Sequence, residues 1–429
     1  MKYEESISYL ESFWKFGIKL GLSRINHLLE ILGDPHKKFK SIHVAGTNGK
    51  GSVCAMTASV LKDAGYKTGL YISPHLLEYT ERIKINRKDI SRTGFSQLIS
   101  KIKKAVDERY SLEELPTEFE LLTAAAFLHF AEQEVDIAVI ETGLGGRLDS
   151  TNVITPVVTA ITNVDLDHCS VLGDTIAKIA REKAGIIKPG IPLVTASERP
   201  DALKIIRKEC ARNSSKIILC SGNDPDIRAD IVGKSGDGQI MDVLYGKRTV
   251  KGLFVPLFGA HQSHNVAVVF GLLSELRNLG FHITENTLRE GLSRADWPAR
   301  FQVINKRPLV ILDGAHNPAG IKALLRTVSD MTKGDLYIVA GILKDKDLSG
   351  MMGIISQYAD TVIAVAPDNP RACAPEVIAS EAKKHGLKTV VGSFPDEGLK
   401  KSLKMASFSD VICVCGSLFT CADVLRSDI

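Results

Sequence analysis

Twelve residues near the beginning of the chain, Ser41-Ile42-His43-Val44-Ala45-Gly46-Thr47-Asn48-Gly49-Lys50-Gly51-Ser52, have the types and spacing to handle phosphate. A β-type run with Ile42 and Val44 enters a loop of small residues, and an amphipathic segment from Ser52 to Ala64 follows. In such a loop the backbone N–H groups converge on oxygen atoms. The helix N-terminus adds partial positive charge, and the lysine reaches the terminal phosphates. That chemistry suits a nucleoside triphosphate. The generic pattern has Gly where Val44 stands and Ser or Thr where Gly51 stands, so Ser52 comes one position late. Taken alone, the stretch also reads as a Gly-rich strand-to-helix turn with a solvated lysine.

Other polar groups recur where apolar runs stop. Glu141 closes one run and leads into Thr142-Gly143-Leu144-Gly145-Gly146-Arg147-Leu148-Asp149. A carboxylate at such a strand end, beside a phosphate loop, holds Mg²⁺ that bridges ATP phosphates; a loop-stabilising glutamate is the plainer reading. Ser73, in Ser73-Pro74-His75-Leu76, offers a hydroxyl to a hard cation or simply begins a loop. His168 ends Asn163-Val164-Asp165-Leu166-Asp167-His168, where a packed or solvent-facing histidine is the commoner outcome. Lys183 lies in the last turn of a predicted helix, a position where lysine complements the dipole. In Asp313-Gly314-Ala315-His316-Asn317-Pro318 an Asp can take a ribose hydroxyl, with His316 and Asn317 facing a cleft; an Asn-Pro turn is the alternative.

The elements that position these groups are legible as alternating periods. Strands are predicted at 40–45, 67–72, 135–141, 157–163 and 192–196, with helices such as 118–133 and 174–185 between them. Near-continuous apolar strands separated by helices indicate a parallel sheet covered on both faces, with ligand groups at the strands' C-terminal ends. The segment 221–252 reads as a β-hairpin excursion, followed by a helix over 263–279. A second βα series has strands at 308–313, 335–341, 361–366, 388–391 and 410–415. The stretch Trp297-Pro298-Ala299-Arg300 is the natural linker, which divides the α/β chain into domains at 1–295 and 296–429.

Bulk properties narrow the classes. The 429 residues are 44% apolar and 24% charged with a net charge of +4, an ordinary globular balance that gives no reason to expect nucleic acid. No apolar run approaches the roughly 20 residues that span a bilayer, and the N-terminus lacks a signal peptide's apolar region. Eight cysteines, at 54, 169, 210, 220, 373, 413, 415 and 421, form no CxxC pair and read as reduced thiols. The expectation is a cytoplasmic protein with no membrane partner.

Together the motifs resemble one family closely. Gly46 to Ser52, Ser73-Pro74-His75-Leu76, Phe119-Glu120, Glu141 to Asp149, Leu166-Asp167-His168, Glu182-Lys183-Ala184-Gly185, His261-Gln262 with Asn265, Trp297 to Phe301 and Asp313 to Pro318 occur in order. They continue through Asp345-Lys346-Asp347, Pro370-Arg371-Ala372 and Cys415-Gly416-Ser417-Leu418-Phe419. This is similar to the folylpolyglutamate synthase/dihydrofolate synthase branch of the Mur ligase superfamily, where the lysine-glycine-serine order is usual. One departure is Ala299, where the family commonly has glycine.

The resemblance implies a P-loop-containing central domain with a parallel sheet, and a smaller Rossmann-like C-terminal domain. It implies ATP-dependent ligation of L-glutamate to dihydropteroate, to the γ-carboxylate of reduced folates, or to both, through an acyl phosphate. Gly49, Lys50, Gly51, Ser52, Asn265, Arg300 and Asp313 would hold ATP. Ser73, Glu141, His168 and a carbamylated Lys183 would ligate two Mg²⁺ ions, with a monovalent cation as a further cofactor. Thr117, Glu118, Phe119, Glu120, Leu148, Asp149 and Ser150 would line the pterin site. Lys50, Lys183 and His316 would be catalytic, and the chain would act as a monomer. Arg147-Leu148-Asp149 resembles the bifunctional bacterial members. A folylpolyglutamate synthase alone, another Mur-type amino-acid ligase and a non-catalytic nucleotide switch stay open at this point.

Overall fold

The strand Lys40–Ala45 lies in the middle of an eight-stranded sheet and is buried along all but its first residue. The sheet runs in the order Lys88–Asp89, Ile83–Ile85, Thr68–Tyr71, Ile137–Glu141, Lys40–Ala45, Val158–Ile161, Leu193–Thr195, Ile217–Leu219. Its six main strands are parallel, and the two short strands beyond Thr68–Tyr71 are antiparallel. The computed structural model describes residues 1–17, 19–110 and 115–427. Strands apolar at nearly every position can only be buried on both faces, and helices supply that cover. Each predicted strand is present, and the α/β class is as expected.

Register makes the site. Val44 stands opposite Glu141 on one side and Ala160 on the other, so three strands end level. The chain leaving each end is then held by its neighbour: Thr142 N–H donates to Val44 O at 3.0 Å, Thr162 N–H to Ala45 O at 2.9 Å, and Thr47 N–H to Asn163 O at 3.0 Å. The helix Lys50–Asp63 begins directly after Gly49, whose φ of 83° suits a residue without a Cβ. This helix is buried from Ser52 to Leu61. Its outer face meets the helix Glu285–Ser293, where a Cβ on Gly291 would strike the backbone of Val60.

On one face of the sheet, the helices Arg92–Arg109 and Glu118–Glu132 share a core with Tyr71, Phe95, Phe127 and Phe130. A second cluster gathers Ile161, Ile179, Ile186 and Leu193 around the helix Ile176–Ala184.

The segment expected to form a hairpin instead forms a three-stranded sheet, Ile227–Ser235, Gly238–Tyr245 and Arg248–Val255, with the middle strand central. Two-residue turns join the strands, and Gly236 and Gly246 supply the positive φ such turns need. The sequence showed one alternating run clearly; the flanking strands carry too many exposed polar residues to alternate visibly.

The contacts divide the chain into two compact units. One comprises 1–232, 240–255 and 263–296; the other comprises 233–239, 256–262 and 297–429. The latter holds a six-stranded sheet in the order Gln302–Lys306, Leu309–Leu312, Val411–Cys415, Leu336–Ala340, Thr361–Ala364, Lys388–Val391, parallel except for its first strand. Its core includes Ile311, Ile338, Val362 and Cys413. No helix among the described residues is long and apolar enough to cross a membrane, and all eight cysteines are free thiols.

Candidate functional site

The phosphate loop is braced from the neighbouring strand end. Asn163 Oδ1 accepts from Asn48 N–H at 2.9 Å, and the Thr162 hydroxyl donates to Asn48 O at 2.6 Å. Thr47 and Asp165 exchange two hydrogen bonds, side chain to backbone. A side chain at Gly46 would overlap Thr162, and one at Gly49 would overlap the Asn265 amide. Both glycines are thus positions of close approach, and Asn265 is brought against Gly49, where the loop enters the helix.

Two lysines converge here. Lys50 Nζ donates to Gly46 O at 3.1 Å and to Thr47 O at 3.3 Å; Lys183 Nζ donates to the same Gly46 O at 2.8 Å. Among the described residues, every hydrogen bond of these two ammonium groups goes to a backbone carbonyl. Lys183 is only 3% exposed. Burial first, and then the Lys50 charge, lower its pKa to about 7, against the opposing pull of Asp167 and Asp149. The helix-end position that suggested a solvated lysine therefore carries a buried one.

The cause is the glycine turn after Glu141. Gly146 lies against the helix end: a Cβ there would come within 2.9 Å of Glu182 O and 3.0 Å of Lys183 O. Arg147 N–H donates to Glu182 O at 2.7 Å, and its guanidinium pairs with the Glu182 carboxylate at 2.9 Å. These contacts draw the helix Ile176–Ala184 under the phosphate loop. Sequence reasoning missed Arg147 and Glu182 as partners, along with Thr162, Asn163 and Asp167. Asn163 and Asp167 carried a signal, since they too follow a strand.

Glu141 is buried, and its Oε2 accepts from Ser73 N–H at 3.2 Å, which sets the Ser73 loop beside the carboxylate. Next to it the buried Thr142 hydroxyl has no hydrogen-bond partner. His168 takes a positive φ of 49° at the start of a short helix, with Nε2 4.0 Å from Asp167 Oδ2. Among the described residues no three His, Cys, Asp or Glu side chains are grouped to hold a metal. A protein-built cage is absent there. Hard oxygen donors from Ser73 and Glu141 do fit Mg²⁺, which keeps waters and takes further ligands from substrate phosphates.

In the segment Thr117 to Glu120, Thr117 caps the helix Glu118–Glu132, while Glu120 Oε2 accepts from the Thr117 N–H and hydroxyl and from Arg24. Glu120 thereby works inward. Phe119 stacks on Tyr71 at 6.1 Å and 27° and presses on Gly143, where a Cβ would overlap its ring. Glu118 Oε1 is buried without a hydrogen bond, 3.9 Å from the Arg82 guanidinium. Asp149 is also turned inward, accepting from Leu144 N–H at 2.7 Å and from the Thr151 N–H at 3.0 Å. Leu148 is half-buried and Ser150 is buried beside it.

In the second unit, Asp313 follows the strand Leu309–Leu312. Its two oxygens accept from Phe301 N–H and Ala315 N–H, each at 2.8 Å. Arg300 lies over Gly314, where any Cβ would overlap the guanidinium. His316 Nδ1 donates to Gly314 O at 2.9 Å. Asn317 caps the helix Pro318–Ser329 through Gly320 N–H, so its side chain serves the turn. Ala299 is buried at φ 55°, a left-handed conformation that explains why glycine is usual there.

Known proteins resemble the chain along its whole length. Residues 44–273 match the Mur ligase middle domain and residues 299–418 the Mur ligase glutamate ligase domain. The chain is 36% identical to dihydrofolate synthase/folylpolyglutamate synthase of Bacillus subtilis over 430 residues, 99% of this chain and 98% of that protein. It superposes on Mycobacterium tuberculosis folylpolyglutamate synthase complexed with ADP and AMPPCP with a TM-score of 0.90, at 29% identity over 98% of each chain. Against Escherichia coli FolC in complex with DHPP and ADP the TM-score is 0.88, at 29% identity over 99% of this chain and 97% of that one.

Proposed function

The chain belongs to the dihydrofolate synthase/folylpolyglutamate synthase family of Mur ligases, and from that premise we propose that it ligates L-glutamate, at the expense of ATP, to both dihydropteroate and the γ-carboxylate of reduced folates. The observation that carries the reading is the convergence of Lys50 and Lys183 on Gly46 O, beside the Glu141 strand end. The Lys50 ammonium, which among the described residues is answered only by backbone carbonyls, is arranged for an incoming anion of high charge, with Lys183 beside it.

A carboxylate resists amine attack because its charge repels the nucleophile and oxide leaves poorly. Transfer of the γ-phosphoryl group makes an acyl phosphate, which the glutamate amine attacks; phosphate then leaves through a tetrahedral state. The protein's part is position and charge. Gly49, Gly51 and Ser52 present N–H groups to the phosphates, Lys50 balances developing charge, and Asn265 lies beside the loop to contact the nucleotide; in the second unit Arg300 and Asp313 are the residues assigned to ATP. Ser73, Glu141 and His168 would hold Mg²⁺, which would supply Lewis acidity toward the phosphoryl oxygens. Lys183 would serve as a carbamate: its neutral amine would add CO₂ and release a proton, giving a carboxylate that could hold a second ion. A pKa near 7 favours that step. His316, its Nδ1 proton held by Gly314 O, orients the incoming glutamate. Phe119, with Thr117, Glu118 and Glu120 behind it, and the loop Leu148 to Ser150 form the acceptor wall. A cytoplasmic setting accords with the eight free thiols.

Incubation with ATP, Mg²⁺, labelled glutamate and each acceptor in turn tests the proposal. Labelled product with both acceptors is expected. Product with tetrahydrofolate alone removes the dihydropteroate half, and phosphate release insensitive to glutamate and acceptor overturns the ligase reading.

A further inference from the structure

His43 points from the central strand into a polar run that ends at Asp149 of the acceptor loop, and the proposed chemistry gives the ring itself no part. It is fully buried, and its Nε2 lies 2.8 Å from the Thr151 hydroxyl. That hydroxyl in turn hydrogen-bonds Asp149 Oδ1. Asp149 also accepts from the N–H groups of Thr151 and Leu144, so three donors aim at one carboxylate. An ionised carboxylate only accepts, and a hydroxyl has one proton to give. Thr151 therefore donates to Asp149 and accepts from the ring, which makes His43 the Nε2–H tautomer. The other ring nitrogen is left buried with no hydrogen bond among the described residues. Burial, followed by the Lys188 charge, lowers the ring's pKa to about 3, so the ring is neutral and its Nδ1 carries no proton.

A buried ring with an unanswered nitrogen is disfavoured relative to an apolar side chain of the same size. Its one bond must earn its place elsewhere. That bond ties the strand carrying the phosphate loop, three residues before Gly46, to the loop that carries Leu148, Asp149 and Ser150. We propose that His43 is a positioning residue for the acceptor site: through Thr151 it fixes the Asp149 carboxylate, and thereby the loop from Leu144 to Ser150, in register with the phosphate loop. The inference rests on the ligase reading for its substrate, and on the hydrogen-bond chain alone for its mechanics.

The test compares His43→Leu and Thr151→Val, which break the chain, with His43→Gln and Thr151→Ser, which keep a donor and a hydroxyl at the same places. Loss of one buried hydrogen bond predicts a rise of about tenfold in the KM for the pterin acceptor in the first pair. The KM for ATP should stay within about twofold, and the second pair should recover the wild-type acceptor KM. Hydrogen exchange gives a readout independent of turnover. The amides of Leu144 and Thr151 should lose protection in the breaking variants while those of Ile42 to Ala45 keep theirs. If His43→Leu fails to fold, the Thr151 pair decides alone. Unchanged acceptor KM and unchanged protection in Thr151→Val overturn the inference. A wild-type enzyme that makes no product with any acceptor overturns the ligase reading instead, and leaves the exchange result to judge the hydrogen-bond chain.

Discussion

Replacing Lys183 by methionine should make the protein more stable and inactive at once. A buried lysine with a folded pKa of about 7, against 10.5 when unfolded, is held in the fold at a loss. At about 1.36 kcal/mol per pH unit, a separation near 3.5 corresponds to roughly 5 kcal/mol. Methionine keeps the length, removes the charge and gives up one hydrogen bond to Gly46 O, worth about 1 kcal/mol; Lys50 continues to serve that carbonyl. With the pKa good to about one unit, the variant should be roughly 2–5 kcal/mol more stable at pH 7.

The sign follows from proton counting. Between pH 7 and 10.5 the unfolded lysine binds a proton that the folded one does not, so wild-type stability rises with pH across this window. Below pH 7 both states are protonated and the full penalty stays. The variant's advantage should therefore shrink from pH 7 toward pH 10.5, while all other titrations cancel in the comparison. Urea unfolding followed by circular dichroism, with the transitions of the two units fitted separately, measures this; buffers free of CO₂ keep the wild-type amine unmodified. Turnover should fall at least a hundredfold, roughly what removing one charge-stabilising group does. A variant no more stable than wild type at pH 7, or an advantage that does not contract with pH, refutes the reasoning.

Gly49→Ala combines a left-handed φ of 83° with overlap on the Asn265 amide, so the KM for ATP should rise about tenfold or more while the acceptor KM holds, checked by steady-state kinetics. Gly143→Ala drives a Cβ into the Phe119 ring and should have the opposite selectivity, weakening acceptor use and sparing ATP; equal damage to both would count against the acceptor wall. Glu141→Gln keeps an acceptor for Ser73 N–H but loses the charge, so the Mg²⁺ concentration for half-maximal rate should increase about tenfold with the melting temperature unchanged. Ala299→Gly relieves a left-handed alanine and should raise stability by about 1 kcal/mol in thermal unfolding, net of glycine's larger unfolded entropy; a destabilised variant would show that φ 55° carries no strain there.

How far the site was legible in the sequence depends on the distance over which each fact is decided. The strand ends could be read because a buried parallel strand must be apolar at nearly every position, so that Glu141 and Asp313 stand out as the polar groups that close a run. That Asn317 caps a helix is likewise local, decided within three residues. Lys183 could not be read in this way. By local rules it is a lysine complementing a helix dipole, and only a contact between residues 137 positions apart makes it a buried partner of Lys50. That contact depends on Gly146 letting a strand-end loop touch a helix end backbone to backbone, which no periodicity records. Asp149 and Glu120 show the same limit from the other side. Motif matching marks both as acceptor-site residues, yet both carboxylates turn inward to hold the loops that carry their neighbours. A motif records that a residue is needed, and long-range packing decides whether it is needed to touch the substrate or to hold what does. In the proposed acceptor site the division would fall between Phe119 as wall and Asp149, with His43 behind it, as frame.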